Sequence, residues 1–315
     1  MHIIAGNAST GLVRAICDGL GDDPTPALVG RFGDGEVRVK IEENVRGDDV
    51  FIVNSTHPPF ENFAETIFLA NAARNSSAKR VTLVIPYLGY NRQDRKPEPR
   101  VPVSAKIAID MLKLSRADRA LLVDLHSEPT ASHFEPIIVD HLYASFGVVP
   151  YLKRIMNEPF VVAAPDVGAS TRARKYAQYL GLPDIVVFNK LRVKAGEVDE
   201  DSIKIIGDVN GRDVLFIDDL IDSGGTLIAD AKAAKKEGAK RIRAFTAHAL
   251  FSKGTGVFTP DLFDEVIITD TIFHKPDVIA NPGGAKITVQ SIAPLLSKAI
   301  KRVHHDESLS PLILG

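Results

Sequence analysis

Thirteen consecutive residues constrain this chain more than any others. Val214-Leu215-Phe216-Ile217-Asp218-Asp219-Leu220-Ile221-Asp222-Ser223-Gly224-Gly225-Thr226 joins an apolar run, three carboxylates and a small-residue turn. Residues 214–217 are continuously apolar and partly β-branched, the pattern of a strand buried on both faces of a parallel sheet. Ser223, Gly224, Gly225 and Thr226 carry no bulky side chain. Their backbone N–H groups can converge on an anion at the positive start of a helix predicted from Leu227 to about Lys236. Asp218 and Asp219 fall where the predicted strand ends, at the ligand edge of an open α/β sheet, placed to accept from sugar hydroxyls or hold magnesium. A bare Asp-Ser-Gly-Gly-Thr also suits an ordinary strand-to-helix turn capped by Asp. The apolar strand and the acid pair before it favour a phosphate seat.

Elsewhere, strand-like runs at 50–53, 81–85, 120–123, 160–164, 184–188, 242–249, 265–269 and 287–290 alternate with helix-like segments at 63–73, 104–114 and 172–180. This βαβ rhythm predicts an α/β fold of two similar domains, each a mainly parallel sheet flanked by helices. A length of 315 residues is enough for two hydrophobic cores. The boundary is expected near Gly147, after a predicted helix over 137–146, giving domains 1–146 and 147–315. No low-complexity tract separates the halves, so close packing is expected rather than a swinging linker.

Charge and cysteine content narrow the partners. Lys+Arg number 38 against 40 Asp+Glu, a formal balance of −2, which supplies no field for nucleic acid or an anionic membrane. The single cysteine, Cys17, excludes an intramolecular disulfide and a multi-cysteine zinc site and fits a reducing cytoplasm. Met1-His2-Ile3-Ile4-Ala5-Gly6 lacks the basic and long apolar parts of a leader, and no run approaches the roughly 20 apolar residues of a membrane span. A soluble cytoplasmic protein is expected.

Four further stretches carry chemistry. In Arg31-Phe32-Gly33-Asp34-Gly35-Glu36 the glycines permit a tight turn that leaves Phe32 to stack on a flat ring and Asp34 or Glu36 to accept from an exocyclic amine; a surface hairpin uses the same residues. Residues 85–96 pass from a strand end into a cation-rich loop, where Arg92, Arg95 and Lys96 either grip polyphosphate oxygens, at about 1.5–3 kcal/mol per charge-assisted bond, or form a solvated cluster. Asp124-Leu125-His126-Ser127 follows a strand, leaving His126 as metal ligand, phosphate partner or loop residue; His133 and His141 do not match a zinc framework and read as ordinary loop or surface histidines. Asp166-Val167-Gly168-Ala169-Ser170-Thr171-Arg172 repeats the opening logic as a second anion seat, with a capped helix start as the alternative. Two such seats suit a ligand with two separate phosphate groups. The segment 188–197 reads as a mobile flap, and Lys190 and Arg192, two apart in extended chain, point the same way toward a reacting phosphate.

As an ordered set these stretches resemble the ribose-phosphate diphosphokinase, or phosphoribosyl pyrophosphate (PRPP) synthase, family from Ile3 to about Leu312. The resemblance implies a type I phosphoribosyltransferase-like fold in each half. The first half would bear the ATP site and subunit contacts, and the second the ribose 5-phosphate and pyrophosphate loops with the flap. It implies that Phe32, Asp34 and Glu36 reach the adenine of ATP bound mainly by a neighbouring subunit. Arg92, Gln93 and Asp94 would hold ATP, and His126 would lie at magnesium and the triphosphate. Asp166 would be linked to metal binding and open the pyrophosphate loop with Val167, Gly168, Ala169 and Ser170. Lys190 and Arg192 would stabilise the transition state, and Asp218, Asp219, Asp222, Ser223, Gly224, Gly225 and Thr226 would hold ribose 5-phosphate. Residues 291–300, followed by Val303 and His304, resemble the family's closing helix. A homo-oligomer built on dimers, commonly a hexamer, follows from the same likeness, as does the reaction ATP + ribose 5-phosphate giving AMP + PRPP.

Departures from the family pattern carry their own expectations. The regulated class follows Asp-Leu-His with a Gln-containing segment ending in Gly-Phe-Phe, whereas this chain has Ser127-Glu128-Pro129-Thr130-Ala131-Ser132-His133-Phe134; Glu128 would repel an anion, so reduced phosphate dependence is expected. Ala169 stands where a second Gly is common and still presents its N–H. Leu191 stands where an Arg usually separates the two flap cations. Among other readings, a PRPP-consuming phosphoribosyltransferase would share 218–226 without needing the Phe32 and Arg92 segments, and a non-catalytic regulatory homologue would be expected to lose Lys190, Arg192 or His126. A generic nucleoside triphosphatase is disfavoured because no Gly-Lys-Ser/Thr loop occurs.

Overall fold

The computed structural model describes residues 1–156, 159–190 and 203–313. The chain divides into two units, Met1–Ala144 with Thr271–Phe273 and Ser291–Gly315, and Ser145–Asp270 with His274–Gln290. Among the described residues no helix is long and apolar enough to cross a membrane.

In the first unit the chain runs β1 (His2–Ala5), α1 (Thr10–Leu20), β2 (Ala27–Arg31), β3 (Val37–Ile41), β4 (Asp49–Val53), α2 (Glu61–Asn75), β5 (Arg80–Ile85), α3 (Ser104–Lys113), β6 (Arg119–Val123) and β7 (Ile138–Leu142). The order β1-β4-β5-β6-β7 is parallel throughout. All five residues of β4 are buried, as a strand covered on both faces requires. β2 and β3 form a separate antiparallel hairpin, and Val29, Val39 and Ile41 pack on the core that α2 supplies with Phe63, Leu69 and Ala73.

The helix expected over 137–146 is corrected: Ile138–Leu142 is strand, paired in parallel with β6. Ile138 and Val139 are β-branched, and Asp140 pairs across the strands with Arg119, so a half-exposed edge strand satisfies the segment better than a helix. Two elements near the chain's end, Ala293–His304 and Ser310–Ile313, also belong to this unit.

The second unit contains α4 (Ser145–Ile155), β8 (Phe160–Ala164), α5 (Ser170–Leu180), β9 (Ile185–Lys190), β10 (Ile203–Ile206), β11 (Asp213–Ile221), α6 (Gly225–Lys236), β12 (Ile242–Ala249), β13 (Glu265–Thr269), α7 (Pro276–Ala280) and β14 (Lys286–Gln290). Its sheet has the order β10-β9-β8-β11-β12-β13-β14, with β10 antiparallel to β9 and the other pairs parallel. From β8 the chain steps one way to β9; from β11 it steps the other way to β12. Strand order therefore reverses between β8 and β11, and right-handed crossovers send α5 and α6 to opposite faces. Leu227, Ala231 and Ala234 of α6 share a core with Val161, Val214, Phe216 and Ala244, while Tyr176 of α5 lies against Phe245, 5.5 Å between ring centroids.

The closing elements, α8 (Ala293–His304) and α9 (Ser310–Ile313), return to the first unit. The Ser297 hydroxyl donates to the Ile16 carbonyl of α1 at 3.0 Å, and Gly19 of α1 admits the approach, since a Cβ there would stand 2.9 Å from Ser297 Oγ.

Candidate functional site

The opening stretch differs from its expected form in one respect. β11 runs to Ile221 instead of ending before the acids, because Leu220 and Ile221 continue the pairing with His248 and Ala249 of β12. Asp218 and Asp219 are therefore strand residues. The Asp219 carboxylate, buried, takes a 2.9 Å hydrogen bond and ion pair from the Arg172 guanidinium of α5. Asp218 accepts the Asp219 backbone N–H through Oδ1 at 2.9 Å. Burial, and then the adjacent Asp219 charge, push the Asp218 carboxyl well above the ordinary carboxylate range.

After Ile221 the chain folds back and starts α6 at Gly225, two residues earlier than predicted. Gly224, at the N-cap, takes φ 77° and ψ −8°, a left-handed conformation that favours glycine. The far wall is supplied by the segment after β12: Ser252 N donates to the Asp222 carbonyl at 3.2 Å, and Leu250 N to Ile221 at 2.7 Å. The first N–H groups of α6 point out of its N-terminus, the direction that suits an anion.

The second loop is tied internally. Asp166 Oδ1 accepts the Ala169 N–H at 2.9 Å, Ser170 N donates to the Val167 carbonyl at 3.2 Å, and the Ser170 hydroxyl donates to the same carbonyl at 2.6 Å. Gly168 is constrained, for a Cβ there would meet Asp166 Oδ1 at 3.1 Å. α5 then begins with no acid in its first turn and with Arg172, Arg174 and Lys175 in its first six positions. Dipole and side chains thus carry the same positive sign. Both loops leave the carboxyl ends of β8 and β11, adjacent parallel strands at the reversal of strand order, the place where open α/β sheets bind ligands.

In the first unit, Phe32, Asp34 and Glu36 occupy the β2–β3 turn, closed by Phe32 N to the Glu36 carbonyl at 2.9 Å and by Asp34 Oδ1 accepting Glu36 N at 3.1 Å. The backbone is the hairpin that the glycines allowed. Phe32 is half exposed and the Arg38 guanidinium lies 5.4 Å from its ring centroid, a cation–π distance. Arg92, Gln93 and Asp94 lie in the loop after β5, and His126, exposed, in the turn after β6; those strands are neighbours. Gln93 also serves the fold, accepting from the Ser104 hydroxyl at 2.7 Å at the start of α3.

Three supporting residues escaped the sequence reading. His141, expected to be an ordinary loop or surface residue, lies in β7 and accepts the Leu125 N–H through Nε2 at 2.9 Å, so it orients the turn that presents His126 with its proton on Nδ1. Phe258 forms the floor beneath Gly224. In sequence Arg172 is only the last residue of its loop; a cation in a helix's first turn, where the dipole disfavours it, is the available signal. Lys190 ends β9, but its side chain, Leu191 and Arg192 lie outside the described residues.

Magnesium takes oxygen ligands and is held by one or two carboxylates together with substrate phosphates. Among the described residues no three His, Cys, Asp or Glu gather to hold an ion, while Asp166 and the Asp218–Asp219 pair offer oxygen donors beside the two anion seats. That donor set fits an ion brought with a polyphosphate.

Two family models match the chain: the N-terminal domain of ribose phosphate pyrophosphokinase over residues 1–115 and the phosphoribosyl synthetase-associated domain over residues 183–314. A ribose-phosphate pyrophosphokinase of Campylobacter jejuni is 39% identical over 314 residues, covering 99% of this chain and 98% of the relative. One from Shewanella oneidensis is 41% identical over 316 residues with the same coverage. The crystal structure of phosphoribosylpyrophosphate synthetase from Mycobacterium smegmatis aligns with a TM-score of 0.88 at 31% identity, covering 97% of this chain and 99% of that one.

Proposed function

The chain belongs to the ribose-phosphate pyrophosphokinase family, and from that premise we infer that it transfers the diphosphoryl group of ATP to the C1 hydroxyl of ribose 5-phosphate, giving AMP and PRPP. The observation that carries the assignment to these residues is the adjacency of β8 and β11 at the reversal of strand order. Two helix N-termini there meet the needs of an acceptor phosphate and a transferred diphosphate. Ser223, Gly224, Gly225 and Thr226 take the 5-phosphate, and Asp218, Asp219 and Asp222 take the sugar. Asp166, Val167, Gly168, Ala169 and Ser170 take the diphosphate. In the first 146 residues Arg92, Gln93, Asp94 and His126 serve ATP; 147–315 serve sugar and diphosphate, with α8 returning to the first unit.

The anomeric hydroxyl attacks the β-phosphorus in line, and no covalent bond to the protein is needed. Lys190 and Arg192 supply positive charge to the bridging oxygens. Asp166 would hold a magnesium ion brought with the triphosphate, His126 is proposed as a further metal and triphosphate ligand, and the ion would supply charge neutralisation on the donor. Phe32, Asp34 and Glu36 reach the adenine held by a neighbouring copy in a dimer-based homo-oligomer; the exposure of Phe32 at a hairpin tip supports this. One cysteine and the near-neutral charge support a cytoplasmic location. Incubation of the full chain with ATP, magnesium and ribose 5-phosphate should yield AMP and PRPP in equal amounts. ADP in place of AMP, or consumption of added PRPP without its formation from ATP, would overturn this reading.

A further inference from the structure

We propose that Arg172 is a positioning residue for the sugar loop, holding Asp219 from the first turn of the helix that the diphosphate loop opens. The inference rests on the function proposed above. Its basis is the 2.9 Å contact between Arg172 Nη1 and Asp219 Oδ1, with the two side chains 22% and 7% exposed.

An arginine in the first turn of α5 opposes the helix dipole, and α5 carries no acid there to offset it. Asp219 supplies that compensation from another strand. The pair also settles the geometry of the acids. Asp219 is drawn toward α5, and the Asp218 carboxyl beside it lies under the influence of both Asp219 and the Arg172 guanidinium. α5 is anchored by fully or nearly fully buried Ala173 and Tyr176, one turn or less beyond Arg172. The helix therefore fixes Arg172, and Arg172 fixes Asp219.

The test is steady-state kinetics of the full chain for Arg172→Lys, Arg172→Gln, Asp219→Asn and the Arg172→Gln/Asp219→Asn double variant, with thermal melts of each. Lysine keeps the charge without the guanidinium fork and should raise the KM for ribose 5-phosphate about threefold; glutamine should raise it about tenfold or more, a loss within the usual range for coupled contacts. The KM for ATP should stay within about twofold in both, and Arg172→Gln should add less than about twofold on the Asp219→Asn background. Equal rises in both KM values, an Arg172→Lys enzyme with unchanged KM, or a full Arg172→Gln penalty without Asp219 would each overturn the proposal. If Arg172→Gln fails to fold, the Arg172→Lys comparison still decides. A wild-type enzyme that forms no PRPP would instead overturn the functional reading beneath it.

Discussion

Gly224 turns against the ring of Phe258: a Cβ built on this glycine would stand 2.8 Å from Phe258 Cζ, at a backbone φ of +77°. Gly224→Ala must therefore bear left-handed strain of about 1–2 kcal/mol and displace a fully buried ring. The N–H groups of 223–226 would lose their common aim. The expected result is a KM for ribose 5-phosphate raised about tenfold or more, corresponding to at least ~1.4 kcal/mol, with a lowered Tm. Gly225→Ala is the control: its Cβ would meet only Ser223 Oγ, at 3.8 Å, in a helical turn where alanine is favoured. A Gly224→Ala enzyme matching that control would show that the left-handed turn against Phe258 does not shape the phosphate seat.

Asp218 gives a pH-dependent stability signature. Burial and the Asp219 charge raise its carboxyl well above the ordinary range, so the folded chain retains a proton that the unfolded chain has released. Stability attributable to this group falls as pH rises from the unfolded value, about 4, toward the raised folded value. Asp218→Asn should raise Tm at neutral pH, the gain vanishing below about pH 4, while weakening ribose 5-phosphate binding. Melts across that range read the outcome; a gain independent of pH would assign it to packing instead.

Much of the second unit was legible because strands buried on both faces are written as short, unbroken apolar runs, such as 160–164 and 242–249. The edge strand Ile138–Leu142 was not, since Asp140 and His141 interrupt its apolar pattern and a run of that length fits helix or strand. Both anion loops could be found because their glycines and acids are neighbours in sequence. The Arg172–Asp219 pair joins residues 47 apart, and the reversal between β8 and β11 is a matter of strand order, which periodicity does not encode. For the same reason α8 was recognisable as a helix, while its docking on α1 was not.

Asp49 holds the closing helix in place. Its buried carboxylate accepts from Arg80 Nη2 at 2.6 Å and from His304 Nδ1 at 2.8 Å, and Arg80 donates onward to the Val303 carbonyl at 2.6 Å. Burial alone would raise Asp49, but the hydrogen bonds from Arg80 and His304 outweigh it and hold the carboxyl below its ordinary value. Stability from this group is therefore full above the ordinary carboxylate pKa and lost as pH falls through the depressed one. Arg80→Ala should cost about 3 kcal/mol at neutral pH by leaving a buried charge underpaired, and denaturant unfolding should show the penalty shrinking in acid. A loss below about 0.5 kcal/mol, the scale of an ordinary surface change, would contradict this account.

The turn after β6 bears on regulation by inorganic phosphate. Residues Glu128–Phe134 form a 3-10 turn whose hydroxyls point into their own backbone: Thr130 donates to the Ser127 carbonyl at 2.6 Å and Ser132 to the Pro129 carbonyl at 2.8 Å. The exposed Glu128 carboxylate accepts from the Tyr143 hydroxyl at 2.8 Å. An arriving anion thus meets carboxylate charge, and the hydroxyl protons that could have received it are already committed. Allosteric effectors commonly change affinity about 5- to 150-fold; across a titration of inorganic phosphate from none to saturating, turnover here should change less than about twofold. Glu128→Gln removes the charge and keeps the Tyr143 bond, so any phosphate response that appears should be larger in that variant. An absolute requirement for phosphate in the wild-type enzyme, or an unchanged strong response after Glu128→Gln, would show that this turn does not set the enzyme's sensitivity to the anion.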